Sequence, residues 1–399
     1  MINELIIYNF KSVKEEKLTL SKINILSGIN GSGKSTVCQA LLLLKDTFDN
    51  YQSGNNSTCS LNNKYMHLGT LKDSLHSGAD NDSIVLAIET KTCINVMAID
   101  ASNDKSQNDF SQVSFGHMYE GDAEDQIEIE TLSNLELASV LNNLKYLKAE
   151  REGPRVTQSK NDKLVRQQNS IGLSGEYVNS YLEHYLANGS KDLGLDNRFH
   201  VKGEFDTLPH QIELWLKDIC PNINFNTTEL LGTDLVSIQY NFNTSAGASQ
   251  RFRATNVGFG ISYVLPVIVM CLSAKPGDIL IIDTPEAHLH PKGQFLIGEL
   301  LAKTAADDIQ IIVETHSDHV LNGIRVQTIK EYLNPEDSQF YYFELCTGSS
   351  YVSPVTKVHN PKINKEGQFN HWPKGFFDEW SYALDEMLRL RGEKSSNDD

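Results

Sequence analysis

The sequence predicts an α/β fold with a mixed central sheet, an antiparallel layer near the N-terminus and a helical and β insertion in the middle of the chain. Three observations carry that prediction. An apolar strand at 23–26 runs into a loop holding Gly28, Gly31 and Gly33, and helix periodicity begins directly afterwards. A second apolar run, Ile279, Leu280, Ile281 and Ile282, ends in Asp283. From 256 onwards helix-like and strand-like segments alternate, the rhythm of a sheet with parallel strands.

In chain order, strands are expected at 5–8 and 23–26, with the charged stretch 14–17 between them. Val37, Ala40, Leu41, Leu44 and Phe48 share one face of a helix. A loop rich in Asn and Ser, 50–63, ends it. β-type runs at 84–88, 94–99 and 113–115 suggest a meander, followed by an acidic loop at 120–130, a helix at 132–144 and a strand at 144–149. The stretch 155–250 reads as an insertion or lid, with helices at 177–186 and 211–219 and strands near 223–225 and 236–242. Then come helix 260–273, strand 279–283, helix 292–305, strand 309–314 and helix 317–325. Two strands (340–346 and 351–358) and an amphipathic helix at 377–390 close the chain, and the polar tail from Gly392 is expected to be disordered. The divisions are an N-terminal lobe at 1–154, the insertion at 155–250, a C-terminal lobe at 251–335 and a terminal module at 336–399.

Composition narrows the function classes. Thirty-five Lys and Arg against 52 Asp and Glu give a formal charge of −17, which argues against a surface coated with phosphate-neutralising charge and leaves only a local basic groove for nucleic acid. The six cysteines form no Cys-x-x-Cys pair, so reduced thiols in a cytoplasmic protein are expected rather than a disulfide frame or a zinc site. The N-terminus lacks a signal-peptide pattern, and the most apolar stretch, 261–272, is too short to span a bilayer. No membrane association is expected.

Gly28, Ile29, Asn30, Gly31, Ser32, Gly33, Lys34 and Ser35, followed by Thr36, match the phosphate-loop pattern G-x-x-x-x-G-K-[ST] in full. Glycines let the backbone turn its N–H groups onto a phosphate, and the helix N-terminus adds positive potential. Lys34 can reach the terminal phosphates and Ser35 can offer its hydroxyl to Mg²⁺. Asp283, at the C-terminal end of a buried strand, is the expected Mg²⁺-side acid.

Residues 284–291 (Thr-Pro-Glu-Ala-His-Leu-His-Pro) and 311–317 (Ile-Ile-Val-Glu-Thr-His-Ser) resemble ABC-type ATPases related to the SMC and OLD (overcoming lysogenisation defect) groups. The start, Asn9 to Ser12, and the end, His371 to Glu379, are similar to those ATPases and to an uncharacterised bacterial branch of them. The resemblance implies an ABC/SMC-like head binding ATP and Mg²⁺ as a homodimer or higher homo-oligomer. It implies that His316 is the switch histidine, that His290 and Pro291 occupy the D-loop, and that Gly258, Gly260 and Ser262 belong to a signature facing the γ-phosphate held by the other subunit. Such enzymes place their catalytic glutamate directly after the strand Asp, where this chain has Thr284. A hydroxyl is too weak a base for water, so Glu286 is the expected base, and a slow, ATP-locked scaffold is the alternative. The sequence offers no candidate for the glutamine that reaches Mg²⁺ in ABC enzymes.

Bland readings compete at several positions. His288 and His290 with His316 make a weak metal set, since zinc needs more ligands than the neighbourhood supplies. Arg151, Arg155, Arg251 and Arg253 are by default solvated, with Arg151 the best candidate for a site role. The aromatics Trp372, Phe376, Phe377 and Trp380 favour core packing or a partner surface over base stacking. About 80 residues follow His316, too few for a Toprim nuclease and the terminal module together. The resemblance therefore implies a sensor in bacterial antiviral defence, with a separate nuclease or other effector as partner. An SMC-like DNA-repair clamp is the competing enzyme reading.

Overall fold

Alternation along buried strands builds two cores on opposite faces of one sheet. The computed structural model describes residues 1–53, 58–101, 110–119, 135–187, 197–348 and 353–395; the expected acidic loop 120–130 lies outside them. The strands β1 (Glu4–Phe10) and β2 (Val13–Thr19) form a hairpin through Lys11 and Ser12. Charge patterning hid β2: among its residues only Val13 and Leu18 are buried, as suits an edge strand guarded by lysines. Next come β3 (Ile23–Gly28), α1 (Lys34–Gln52), β4 (Thr58–Ser60), the single turn α2 (Leu71–Ser74), β5 (Ser83–Glu89), β6 (Cys93–Asp100) and β7 (Phe110–Tyr119). The antiparallel layer has the order β2-β1-β5-β6-β7-β4.

After α3 (Leu135–Asn142) and β8 (Leu144–Leu147), the expected insertion contains β9 (Gln158–Ser159), α4 (Val178–Ala187), α5 (Leu208–Ile219), β10 (Ile223–Glu229), β11 (Leu235–Thr244), β12 (Gly247–Ala248) and β13 (Phe252–Arg253). Its strands pair around β11, and Tyr181, Trp215 and Tyr240 join the same core as the helices that follow. The remainder is α6 (Phe259–Ser273), β14 (Ile279–Asp283), α7 (Pro291–Ala306), β15 (Gln310–Glu314), α8 (Asp318–Ile329), β16 (Ser338–Cys346), β17 (Val355–His359) and α9 (Glu379–Ser395). Helix α9 continues through Gly392 to Ser395, beyond the point where a disordered tail was expected, and Trp380, Tyr382 and Leu388 on it are exposed.

The central sheet has the order β17-β16-β3-β15-β14-β8, parallel except for β17. Leu280 and Ile282 of β14 face α6, α7 and α8, whereas Ile279 and Ile281 face α1 and the antiparallel layer. Both faces being covered, β14 reads as one continuous apolar run. Helix α1 lies between two sheets, so Leu42, Leu43 and Thr47 are buried as well as the expected face; its one-sided pattern understates a helix enclosed all round. The same holds for α6, which is buried along most of its length despite Pro266. Among the described residues no helix is long and apolar enough to cross a membrane, and no disulfide joins the cysteines.

Candidate nucleotide site

Parallel register brings the ends of β3, β14 and β15 to one sheet edge, the place where open α/β sheets bind ligands. The loop between β3 and α1 turns with φ of 144° at Gly28, 77° at Gly31 and 102° at Gly33. A side chain at Gly28 would meet the Phe343 carbonyl oxygen at 2.3 Å, and one at Gly33 the Thr356 hydroxyl at 2.6 Å, so conformation and packing both demand glycine there. Nothing lies within 4 Å of a Cβ built on Gly31, which leaves that side of the loop open. The Thr356 hydroxyl donates to the Ser32 carbonyl at 2.9 Å and lies 2.7 Å from the Ser12 hydroxyl. A strand of the terminal module thus clasps the loop to the first hairpin.

The Lys34 ammonium donates to the carbonyls of Gly28 at 3.1 Å and Ile29 at 2.8 Å. With three donors available, one remains for a ligand. Ser35 donates its hydroxyl to the two oxygens of Glu314, 2.9 and 3.1 Å away. Glu314 ends β15 directly beside Asp283 in the strand register, and its carboxylate lies 3.9 Å from Lys34. Burial, then the charge of Asp283, pushes the Glu314 carboxyl up to about 7. Burial also lowers Lys34, with Glu314 and Asp283 opposing it. Both shifts run against what a strong ion pair would produce, so desolvation outweighs pairing here.

Asp283 accepts the Thr284 hydroxyl at 2.8 Å. Thr284 itself has φ of 47°, and its N–H bonds the Glu314 carbonyl at 2.8 Å. Arg151, only 4% exposed, fixes this turn by donating to the carbonyls of Asp283 at 2.5 Å and Thr284 at 3.1 Å. Burial lowers its pKa to about 10 against the raising effect of Asp283 and Glu286, which leaves it charged at neutral pH. Glu286 accepts the backbone N–H of His316 at 2.8 Å through Oε1, whereas Oε2 is buried without a partner. Burial raises the Glu286 carboxyl above its ordinary range. His316 is lowered by partial burial and by the charge of Lys34.

The structure thus brings Lys34, Ser35, Asp283, Glu286 and His316 to one edge, with Asn30, Gly31, Ser32, Gly33 and Thr36 in the loop and first turn. It does not bring Gly258, Gly260 and Ser262 there. Gly258 caps α6 and is open on its Cβ side, Gly260 packs against the His288 carbonyl, and Ser262 lines an inner cleft with Tyr240 and Ala254. His288 packs its ring against Tyr263 and Phe259 at centroid distances of 4.5 and 5.9 Å. His290 caps α7 ahead of Pro291. Among the described residues no group of three His, Cys, Asp or Glu could hold a metal by itself, so no histidine cluster forms. Phe376 is core, ringed by Tyr342, Phe369 and Trp372, whereas Trp380 is exposed. A cleft of about 490 Å³ beside Asn30 and His316 is walled by Tyr342, Phe377 and Trp380.

Glu314 was missed from sequence, although Ile311, Ile312 and Val313 before it repeat the apolar-run-then-acid pattern that revealed Asp283. The anchoring role of Arg151 needs the pairing of β8 with β14, which no local pattern encodes.

A family model described as "AAA domain, putative AbiEii toxin, Type IV TA system" matches residues 106–322. One described as "AAA ATPase domain" matches 1–185, and a family of unknown function matches 333–387. Among solved structures the chain is similar to an Smc head bound to the C-winged helix domain of ScpA, at 15% identity and a TM-score of 0.53, over 91% of this chain and 98% of that one. It is also similar to an Smc head domain with an extended coiled coil bound to the C-terminal domain of ScpA from Pyrococcus furiosus, at 12% identity and 0.51, over 98% and 99%. These likenesses show the fold. Ninety-three residues are 26% identical to an uncharacterised protein of Methanocaldococcus jannaschii, covering 23% of this chain and 11% of that relative.

Proposed function

Because the chain belongs to the AAA-domain family described as putative AbiEii toxin of a type IV TA system, and has the fold of an SMC head, we propose that it binds and hydrolyses ATP with Mg²⁺ as a nucleotide-sandwich dimer. The observation that carries this reading is the convergence of the phosphate loop, three carboxylates and His316 on one sheet edge. The open turn at Gly31, the spare donor of Lys34 and the α1 N-terminus suit a polyphosphate, and Ser35 and Asp283 would hold the metal. Mg²⁺, when bound, supplies positive charge against the charge of the phosphates.

Glu286 is the proposed base. Its Oε2 has no protein partner, and its raised pKa moves the carboxyl towards the operating range of a base. Its other oxygen holds the His316 N–H, so base and switch histidine are positioned together. Gly260 and Ser262 pack against His288, Leu289, Tyr240 and Ala254, and Gly258 is open on its Cβ side, which supports a site completed by the signature of a second copy. Repeated turnover of ATP by the purified chain, abolished in Glu286→Gln with binding retained, tests this. Light scattering with and without a non-hydrolysable nucleotide tests the dimer, and a particle of unchanged mass would refute it.

One observation favours a second reading. Thr284 occupies the position of the usual glutamate and commits its hydroxyl to Asp283, which would suit a slowly hydrolysing ATP-locked clamp. Single-turnover hydrolysis without further cycles would decide for it. For the cellular role we propose the regulatory subunit of a bacterial defence complex acting on a separate nuclease or other effector. The resemblance to OLD-related ATPases supports that role. Affinity capture that recovers no effector, or strong stimulation of the isolated chain by DNA, would overturn it in favour of an SMC-like repair clamp.

A further inference from the structure

We infer that Glu314 is a carboxylate of the Mg²⁺ site: it accepts the Ser35 hydroxyl proton in a hydrogen bond, leaving the serine oxygen lone pairs for the cation, and shares the cation's charge with Asp283. The inference rests on the nucleotide reading above and deepens it by naming a metal-site residue that neither the motifs nor the resemblance assigned.

Four observations carry it. Asp283 and Glu314 are register partners on adjacent parallel strands, so two acidic residues end side by side on backbones about 5 Å apart. Both Glu314 oxygens lie within 3.1 Å of the Ser35 oxygen, and a hydroxyl has only one proton to give. A hydrogen bond of this kind orients a metal ligand from behind and commonly matters tenfold to a hundredfold in metal affinity. Second, the side chain is only 8% exposed, which leaves solvent little access to its charge. Third, three acidic side chains, Asp283, Glu286 and Glu314, share this edge with two basic ones, Lys34 and Arg151, before a triphosphate adds negative charge. Fourth, Glu286 Oε2 is buried with no partner in the same acidic neighbourhood, a polar atom that still lacks a cation or donor. The donor set of hydroxyl, carboxylates and phosphate oxygens is that of Mg²⁺, which is held by one or two carboxylates plus substrate phosphates.

The alternative is a simple lock, in which Glu314 only tethers Ser35 and helix α1. Titration of the full chain with N-methylanthraniloyl-ATP, at Mg²⁺ concentrations from EDTA to excess, separates the two. The inference expects Glu314→Gln to raise the Mg²⁺ midpoint at least tenfold while affinity in EDTA stays equal or improves. It also expects the Ser35→Ala, Glu314→Gln double variant to have a higher midpoint than Ser35→Ala alone, because the glutamate charge acts on the cation directly as well as through the serine. An unchanged midpoint in Glu314→Gln, or an equal loss in EDTA and in Mg²⁺, overturns it. Should Glu314→Gln fail to fold, Glu314→Asp serves: the shortened carboxylate must also raise the midpoint, and a wild-type midpoint overturns the inference. If the wild-type chain binds no nucleotide, the proposed function falls as well; if it binds with Mg²⁺ dependence and the variants do too, only this inference falls.

Discussion

Replacing Glu314 by glutamine should stabilise the metal-free chain at pH 8 and change it little at pH 5. In the folded chain, burial and Asp283 hold this carboxyl at about 7, against an ordinary value of 4.5. The folded value is the higher one, so the group's favourable contribution is fully present below about pH 4.5 and is lost as pH rises through about 7. A gap of about 2.5 units at about 1.4 kcal/mol each sets a ceiling of about 3–4 kcal/mol. Because the buried amide still gives up hydration of its own, a single substitution should recover about 2 kcal/mol of it. The amide keeps the shape and still accepts the Ser35 hydroxyl, so little is lost in exchange. Urea unfolding in EDTA at the two pH values is the assay. An equal loss of stability at both would refute the reasoning, since it would mean that the ionised carboxylate beside Lys34 is a net favourable partner.

Lys34→Ala removes a charged donor and should weaken nucleotide binding by about 10- to 100-fold, the worth of a charge-assisted hydrogen bond; a fluorescent-nucleotide titration with wild-type affinity would contradict the assignment. Glu286→Gln should lower the hydrolysis rate by about 100-fold or more with binding intact, and wild-type turnover would move the base elsewhere. Gly298→Ala would set a methyl 2.2 Å from the Val320 carbonyl oxygen and should cost about 1–3 kcal/mol, read as a lowered melting temperature; an unchanged melt would mean that α7 and α8 separate freely.

Much of the fold was legible because its strands are short apolar runs bounded by turns, and the phosphate loop and Asp283 declared themselves by residue type and spacing. What stayed hidden has physical causes. Strand β2 carries its charges on an exposed edge, so no apolar alternation marks it. Helix α1 is enclosed by two sheets, and Leu42 and Leu43 fall outside the single face that periodicity picks out. Glu314 sits two residues before His316 and was overshadowed by it, although its strand carries the same signal as the one ending in Asp283. Arg151 acts through carbonyls 132 and 133 residues away, and long-range pairing of that kind leaves no trace in local pattern.

Helices α7 and α8 meet through Gly298 and Gly323, where a side chain on either would strike the other's backbone carbonyl at 2.2 or 2.3 Å. Gln294 adds a link, accepting the Ser317 hydroxyl at 2.6 Å while donating to the Leu289 carbonyl. Two helices pressed backbone to backbone have little room to slide. A displacement at His290 would therefore move the two helices as a stiff pair rather than dissipate in side-chain repacking.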